Sequence, residues 1–333
     1  MRKQIKVKII VVLLAIGVAF SGFSQVVIPD LADLQEGIAS FSEDLAKALP
    51  FNSSLGLNWS DAYVGKFIPS VPPHFGIGAS FGFTTMKLPI LDTLAGYFGL
   101  DIPFKIDRMF IPAYAGEARI GGLFLPFDVG FKIGYIPPIT LWGSLVNMNY
   151  MNVGADLRWA LVKGNVILPK ISLGIGVNYL KGGVGATVGT GHSFTYLDEF
   201  DVEQTISLSD IDANFEWEST SIDFKAQISK SFLIITPYAG IGASYAWSKA
   251  GYTVDATISG DLTEAKEYLD DLGLGNLYLT TEGMSSIIKN GGFNFRAFGG
   301  FSLNVAVVKF DFTALYSFLD GNFGGSFGIR FQL

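Results

Sequence analysis

Basic side chains recur at positions where strand geometry would bring them together. Each one occupies the polar parity of an alternating segment, so all would point to one side of a sheet. They are Lys132, Arg158, Lys170 and Arg296. Cations held in this way could bind the carboxylate of an incoming molecule. Asp128, Asp156 and Asp311 share that parity, so the alternative is a set of ion pairs among these side chains.

The chain offers little for covalent or metal chemistry. It contains no cysteine, and its two histidines, His74 and His192, stand far apart with no carboxylate pattern beside them. Glycine spacings such as GIGASFG lack the strand-to-helix context that a nucleotide site needs. We therefore predict a non-enzyme with no catalytic residue, metal site or cofactor. The net charge of −7 argues against nucleic acid as a partner.

The elements that would position the basic residues are strands. In FDVGFKIGY (residues 127–135), large apolar residues alternate with Asp, Gly and Lys, and the same pattern returns along most of the chain. Alternating segments of about ten residues are typical of an outer-membrane β-barrel. A soluble β-sandwich is the alternative, but its outer face would carry Lys, Glu and Thr rather than Gly, Ser and Asn.

Eleven segments are predicted to cross the membrane. They lie near residues 54–64, 74–86, 110–123, 127–136, 148–162, 167–180, 218–228, 232–247, 292–303, 309–318 and 323–333. Single-chain bacterial barrels have even numbers of strands, so we expect at least one error in this count and predict twelve to fourteen. The predicted fold is an all-β, transmembrane, antiparallel outer-membrane barrel with a short N-terminal helical hatch.

The N-terminal residues are typical of an export signal. Basic residues precede the uncharged run IIVVLLAIGVAF (residues 9–20), and small residues follow it. An uncleaved anchor is the alternative, but twelve apolar residues fall short of the roughly 20 that a membrane-spanning helix needs. We predict a cleaved signal peptide at residues 1–24, a hatch or plug at 25–53, the barrel at 54–333, and a location in the bacterial outer membrane.

Between the signal and the first strand, apolar residues recur at three- and four-residue steps. This spacing predicts an amphipathic helix. Its stripe includes Phe41, Leu45 and Leu49, and leaving these side chains in water would cost roughly 1.5–3 kcal/mol each. We expect the helix to pack inside the barrel or across its periplasmic mouth, to restrict the pore, and to contact the cargo together with the four basic residues.

Long connections are predicted at residues 135–146, 182–219 and 249–291. The stretch 182–224 holds nine Asp or Glu and neither Lys nor Arg. We interpret it as a solvated surface loop, with a Ca²⁺ site as the alternative. Residues 261–273 carry the capping pattern of a short helix.

Two stretches resemble a known family. KALPFNSSLGLNWSDAYVG (residues 47–65) and PPHFGIGASFGFTT (residues 72–85) resemble spirochaete outer-membrane barrels related to FadL-type long-chain fatty-acid transporters. The resemblance implies a fourteen-stranded monomer with an N-terminal hatch. Its usual Asn-Pro-Ala hatch motif is replaced here by Asn52-Ser53-Ser54, without the proline. The C-terminal residues resemble an outer-membrane assembly signal, which consists here of Ser326, Gly328, Phe331 and Leu333.

The function that this resemblance implies is uptake of hydrophobic or amphipathic small molecules, specifically long-chain fatty acids. The implied partners are outer-membrane lipids, the hydrophobic cargo and the barrel assembly machinery. Two alternatives stay open on the residues alone. One is a general porin for small hydrophilic solutes, and the other is a surface adhesin or binding barrel that uses its acidic loops.

Overall fold

The computed structural model describes residues 31–87, 108–141, 146–188, 192–197, 203–208, 211–255, 258–259 and 284–333. Within them, one helix, α1 (Leu31–Ser53), precedes all the strands. The strands are β1 (Lys66–Ile68), β2 (Phe75–Lys87), β3 (Arg108–Leu123), β4 (Phe127–Leu141), β5 (Val146–Lys163), β6 (Lys170–Val188), β7 (His192–Leu197), β8 (Glu203–Leu208), β9 (Ile211–Ser229), β10 (Ile235–Asp255), β11 (Ile258–Ser259), β12 (Met284–Val305), β13 (Val308–Ser317) and β14 (Phe323–Gln332).

Ten of the described strands close into a barrel. Around the wall they follow the order β2, β3, β4, β5, β6, β9, β10, β12, β13, β14, and β14 pairs with β2 to complete the circle. Every pairing in this circle is antiparallel. The short β1 runs parallel to the end of β3, and β7, β8 and β11 form a separate small sheet. The prediction of a closed antiparallel outer-membrane barrel with an N-terminal helix is confirmed.

The predicted strand number was wrong, and residues 54–64 explain the error. The described barrel has ten strands rather than twelve to fourteen. Ten of the eleven predicted segments coincide with barrel strands, whereas residues 54–64 form no strand. Both parities of that segment are buried, because it runs through the interior instead of forming part of the wall. The count of eleven predicted segments was therefore one too high, because residues 54–64 do not belong to the wall.

The two faces of the wall differ as lipid and interior require. Along β4, Phe131, Ile133 and Tyr135 are exposed on the outside, while Asp128 and Lys132 are buried inside. This alternation continues around the described wall and produces an apolar outer surface with a polar inner one. The described part of the chain contains no helix with the length and hydropathy needed to cross a membrane.

The strands extend further at one end than the sequence indicated. β6 and β9 remain paired up to Val188 and Ile211, inside a stretch predicted to be loop. The exposed side chains there include Glu216, so the sheet continues beyond the apolar band and its apolar alternation fades. The acidic cluster at 198–202 and the predicted helix at 261–273 lie outside the described residues, as does the predicted signal peptide.

Connections differ at the two ends of the barrel. At one end, which we call the short-turn end, β3 joins β4, β5 joins β6, β9 joins β10 and β12 joins β13 through two to six residues. The chain also reaches its last residue at this end, where the Leu333 amide donates to the Phe75 carbonyl. The opposite end, the long-connection end, holds the long links between β2 and β3, β6 and β9, and β10 and β12, together with two short ones, between β4 and β5 and between β13 and β14.

Helix α1 lies inside the barrel and points toward the long-connection end with its N-terminus. Leu45 and Leu49 pack against Ala250 and Tyr252, which lie near the far end of β10. The chain then continues toward the short-turn end, where Ala62 donates to Ser229 at the end of β9. The helix and the segment 54–64 thus fill successive levels of the interior, and the part near the short-turn end is residues 54–64 rather than the helix.

Candidate functional site in the barrel interior

The upper level of the interior, at the long-connection end, is apolar. We call this space the apolar chamber. Its wall is defined by five buried residues, Met86, Leu180, Phe215, Ala250 and Tyr252. The helix fills this chamber with its apolar stripe. Met109, Ile111, Tyr150 and Trp217 pack around the same cluster and are partly buried. The apolar stripe of the helix thus faces an apolar part of the wall, although buried polar side chains such as Ser219 and Ser248 lie nearby.

The three apolar residues predicted from the helical spacing all belong to this contact. Leu45 and Leu49 are 4% and 0% exposed. Phe41, one turn earlier, packs its ring at 5.1 Å from the ring of Phe215. Burying such side chains contributes about 1.5–3 kcal/mol each. The helix is therefore held in the chamber by apolar contacts.

The barrel wall beside the apolar chamber is incompletely paired. β3 and β4 share six residue pairs, from Gly121↔Asp128 to Gly116↔Ile133. Gly134 still lies against the Tyr114 carbonyl, but beyond it residues 108–115 of β3 and 134–141 of β4 have no mutual pairing in this described part of the wall. We call this gap the β3–β4 seam.

The residues of the seam suit an unpaired edge in an apolar environment. Pro112 lies on β3, and Pro137 and Pro138 lie on β4 beside a register shift. Proline has no N–H group, so these edges expose fewer donors that would need a partner in lipid. Tyr114 of β3 contacts the ring of Tyr150, which belongs to β5, at 5.2 Å between centroids. The seam is thus filled by aromatic side chains rather than sealed by backbone hydrogen bonds.

The lower level of the interior, at the short-turn end, is filled by residues 54–64, which we call the plug segment. Its centre is Asp61. This residue is 1% exposed, and its carboxylate accepts hydrogen bonds from three cationic side chains. Lys309 lies at 2.6 Å, Lys170 at 3.1 Å and Arg330 at 3.1 Å. These partners come from β13, β6 and β14, so a single carboxylate connects opposite parts of the wall.

Above Asp61, a second group of charges links neighbouring strands. Arg119 reaches Asp128 at 2.6 Å and Asp156 at 2.8 Å, and Arg158 reaches Asp128 at 2.8 Å. A Cβ atom at position 130 would lie 2.6 Å from the Arg119 guanidinium, so Gly130 leaves the space that this network occupies. Further pairs join Lys225 to Asp156, Arg296 to Asp223 and Arg330 to Asp311.

Barrel side chains also satisfy the backbone of the plug segment. The Val64 amide donates to Asp128 and the Ala62 amide donates to Ser229. Gln227 donates to the carbonyls of Trp59 and Ser60 at 2.7 and 3.2 Å. A buried backbone needs such partners, and here side chains supply them in place of a neighbouring strand.

Trp59 anchors the plug segment by both its ring and its indole N–H. The N–H donates to Glu117 at 2.6 Å. The Arg330 guanidinium lies 4.5 Å from the ring centroid and that of Arg119 lies 5.6 Å from it, both within cation–π range. A cavity of ≈ 20 Å³ adjoins Trp59, Glu117 and Arg330, which is about the space of one water molecule.

The helix and the plug segment meet at Lys132. Its ammonium donates to the carbonyls of Ser53 and Leu55, at 2.5 and 2.6 Å. The last carbonyls of a helix have no partner within it and carry partial negative charge. Lys132 therefore fixes the C-terminal end of α1 from the wall, and the chain turns there through Gly56 at φ +87°.

The structure brings the predicted basic residues to one interior but gives each a partner within the chain. Arg158 pairs with Asp128, Lys170 with Asp61 and Arg296 with Asp223, while Lys132 binds helix carbonyls. This arrangement corresponds to the ion-pair alternative. Their contact with a cargo stays a prediction, as does the role of Ser326, Gly328, Phe331 and Leu333 in assembly.

Several residues of the network were not predicted as site residues. Arg119, Lys225 and Arg330 share the inward parity of their strands, so parity alone could have identified them. The same argument does not identify Asp61, because the sequence predicts its segment to be a strand of the wall. Within the described residues, no cluster of three or more His, Cys, Asp or Glu could hold a metal ion.

Comparisons with known proteins return barrels at low similarity. No family model matches the chain, and no curated protein matches it. It is similar to the translocator domain of the autotransporter NalP from Neisseria meningitidis, with 7% identity, TM-score 0.30, and coverage of 90% of this chain and 98% of that one. It is similar to the Escherichia coli outer membrane protease OmpT, with 11% identity, TM-score 0.32, and coverage of 82% of this chain and 100% of that one. It is also similar to Ail, the attachment invasion locus protein of Yersinia pestis, with 9% identity, TM-score 0.25, and coverage of 78% of this chain and 97% of that one.

These scores are too low to carry a functional argument, and the named proteins differ in what they do. The barrel assignment rests on the strand pairing described above. None of the three concerns the spirochaete or FadL-type resemblance, which stays a prediction.

Proposed function

We propose that this protein is an outer-membrane channel for hydrophobic or amphipathic small molecules, with long-chain fatty acids as the cargo, and that the structure is its closed state. The observation that carries the proposal is the apolar chamber, which an apolar helix fills and which adjoins an incompletely paired wall. A channel for hydrophilic solutes would have no use for an apolar chamber. The family resemblance supplies the choice of fatty acids.

The proposed mechanism begins with exchange of one apolar surface for another. Cargo entering from the long-connection end competes with Leu45 and Leu49 for the walls around Leu180 and Phe215. Because the lost and gained contacts are alike, displacement of the helix need not expose the chamber to water. Polar solutes would gain nothing from this exchange, which gives the channel its selectivity.

The β3–β4 seam supplies a route out of the chamber that avoids the charged lower level. Met109 and Ile111 lie both at the seam and against the chamber cluster. Cargo that passes between β3 and β4 would remain in apolar surroundings and would leave the plug segment undisturbed. Passage through the plug segment would instead require the Asp61 ion pairs to separate.

An engineered disulfide tests whether the helix must move. The hydroxyl oxygens of Ser53 on α1 and Ser221 on β9 lie 3.3 Å apart, and the chain contains no other cysteine to interfere. We expect the oxidised Ser53→Cys/Ser221→Cys variant to lose uptake of a fluorescent long-chain fatty acid in cells whose own uptake route has been deleted. A reductant should restore the uptake.

Each single-cysteine variant, treated with the same oxidant, is the matched control. Formation of the disulfide is checked by loss of reaction with a thiol-specific polymer. Undiminished uptake by the fully oxidised double variant would show that the Ser53 end of the helix does not have to leave the wall during transport. Liposome swelling in sugars separates the porin alternative, since a porin would pass sugars whether the disulfide is formed or not.

Replacement of Tyr114 tests the route. Tyr114→Ala removes the ring that fills the seam, whereas Tyr316→Ala removes an exposed outer ring on β13 far from it. We expect faster fatty-acid uptake in the first variant only. Equal uptake by both variants and the parent would mean that cargo does not pass through the seam.

A further inference from the structure

The turns at the short-turn end carry large apolar side chains in the open. We call these side chains the apolar turn rim and define it by Val71, Phe124, Ile167, Leu233 and Val307. Their exposures are 97%, 67%, 84%, 101% and 44%. Each belongs to a different connection around the barrel. Exposed apolar side chains gathered at one end of a molecule mark a surface that contacts something other than water.

The exposed charged side chains that the structure describes at the same end are basic. Lys163 is exposed and Lys66 is half-buried beside the rim. The side-chain carboxylates at this level of the described chain, Asp61, Asp128 and Asp311, all lie inside the barrel and are buried. Exposed carboxylates such as Glu43 and Glu216 occur toward the opposite end. The rim is therefore apolar and is flanked by basic side chains.

The rim is also held in a fixed arrangement. Lys230, at the start of the β9–β10 turn, donates to three carbonyls of the β5–β6 turn. The acceptors are Asn165 at 2.9 Å, Val166 at 2.7 Å and Leu168 at 3.2 Å. This ammonium places Ile167 and Leu233 on neighbouring turns of one surface, so that both can contact the same partner.

The height of the wall locates this end relative to the membrane. β13 and β14 have ten residues each. A ten-residue strand rising about 3.4 Å per residue and tilted by about 40° is roughly 26 Å tall. This equals the apolar band of about 25 Å on an outer-membrane barrel. β13 and β14 are therefore only as tall as the apolar band. The turns at their ends lie at the level of the lipid headgroups.

We propose that the apolar turn rim is a lipid-binding surface that inserts into the headgroup region of the membrane leaflet at the short-turn end and prefers anionic phospholipid. Its apolar side chains enter the boundary between headgroups and acyl chains, while Lys66 and Lys163 contact lipid phosphates. Apolar side chains flanked by lysine are the combination that binds anionic membrane surfaces. The proposal does not depend on what the barrel transports.

A single labelled cysteine tests the depth of the rim. Leu233→Cys carries an environment-sensitive fluorophore on the rim, and Glu43→Cys carries it on the helix at the opposite mouth as the matched control. The full-length protein is placed in phosphatidylcholine vesicles with or without phosphatidylglycerol. We expect the label at position 233 to emit at shorter wavelength, to be quenched by lipids brominated near the headgroup, and to be several-fold less accessible to iodide than the label at position 43.

Anionic lipid and the two lysines are tested in the same system. Phosphatidylglycerol should deepen the quenching at position 233, and Lys66→Gln/Lys163→Gln should abolish that increase while leaving the signal in phosphatidylcholine unchanged. Equal iodide quenching at both positions would overturn the proposal. Protection from iodide without quenching by brominated lipid would also overturn it, since a second copy or another protein would then cover the rim. An unchanged signal on adding phosphatidylglycerol to the parent would refute the anionic preference.

Discussion

At the scale of single residues, Asp61 has the largest set of charged partners in the lower interior. Its carboxylate accepts from Lys170, Lys309 and Arg330, and its carbonyl accepts from Arg158 at 2.7 Å. Buried ion pairs add little net stability compared with an apolar core, but breaking one leaves charges without compensation. Asp61 is therefore the residue whose loss should disturb the closed state most.

We expect Asp61→Asn to destabilise the folded barrel by about 3–5 kcal/mol, the usual cost of breaking a buried ion pair, and to increase leak current in planar bilayers. The measurement is the temperature at which the folded form disappears from an unheated gel. Glu43→Gln is the control, because the Glu43–Lys47 pair is about half exposed and such pairs contribute little. Equal melting of the two variants would show that Asp61 does not hold the plug segment.

At the scale of elements, helix α1 and the plug segment close different halves of the interior by different means. The helix packs against apolar walls, while the plug segment is held by ion pairs and by side chains that bind its backbone. Lys132 is the point where the two meet. Removing one of them should leave the other in place.

Deletion of residues 30–49 should therefore open only the upper level. We expect a modest rise in single-channel conductance and weaker discrimination in favour of fatty acids. A much larger rise should follow when the deletion is combined with Asp61→Asn, because both closures are then lost. Single-channel recording of the three variants beside the parent gives the comparison. If conductance and fatty-acid uptake stay at the parent level in every variant, neither element is a closure.

β14 closes the barrel through nine residue pairs with β13 and nine with β2. Phe331 lies opposite Val308 on one side and Ile77 on the other. Removing residues 331–333 shortens both pairings and deletes the C-terminal part of the predicted assembly signal. We expect a lower amount of protein in the outer membrane, measured by quantitative blotting of membrane fractions, with no change in cargo affinity of the protein that does insert. Parent levels of the truncated protein would contradict this.

The sequence predicts an element well when the position of its residues depends on a local pattern, and poorly when it depends on partners that are distant in the sequence. Period-two alternation locates β4 or β14 correctly, because each side chain there faces either lipid or the interior. The plug segment alternates too, but its partners lie 109 and 269 residues away at Lys170 and Arg330. No local pattern contains that information. For the same reason, parity places Lys132 inside the barrel but cannot reveal that it binds the end of α1.

At the scale of the whole molecule, the barrel presents three kinds of surface at once. Its outside is apolar, its lower interior is charged, and its upper interior is apolar again. Such a molecule keeps its fold only where lipid or detergent covers the outside. The closed, lipid-facing barrel should therefore determine the circular dichroism spectrum of the purified protein and its migration on gels.

We expect the purified protein to require detergent, to give a circular dichroism spectrum dominated by β structure, and to migrate differently on gels before and after heating. The reason is that a closed barrel resists detergent until it is heated. A mainly helical spectrum, or a stable monomer in detergent-free buffer, would be incompatible with the barrel.

The burial of the charge network has a consequence for the ionic strength of the surroundings. At physiological salt, mobile ions screen charges over about 8 Å, but they act on groups that solvent can reach. Arg119, Arg158 and Asp128 are at most 1% exposed. Changes of salinity outside the cell should therefore leave these pairs almost untouched, and the closed barrel should stay equally tight in dilute and in saline media. A barrel closed by exposed salt bridges would loosen as the salt concentration rose.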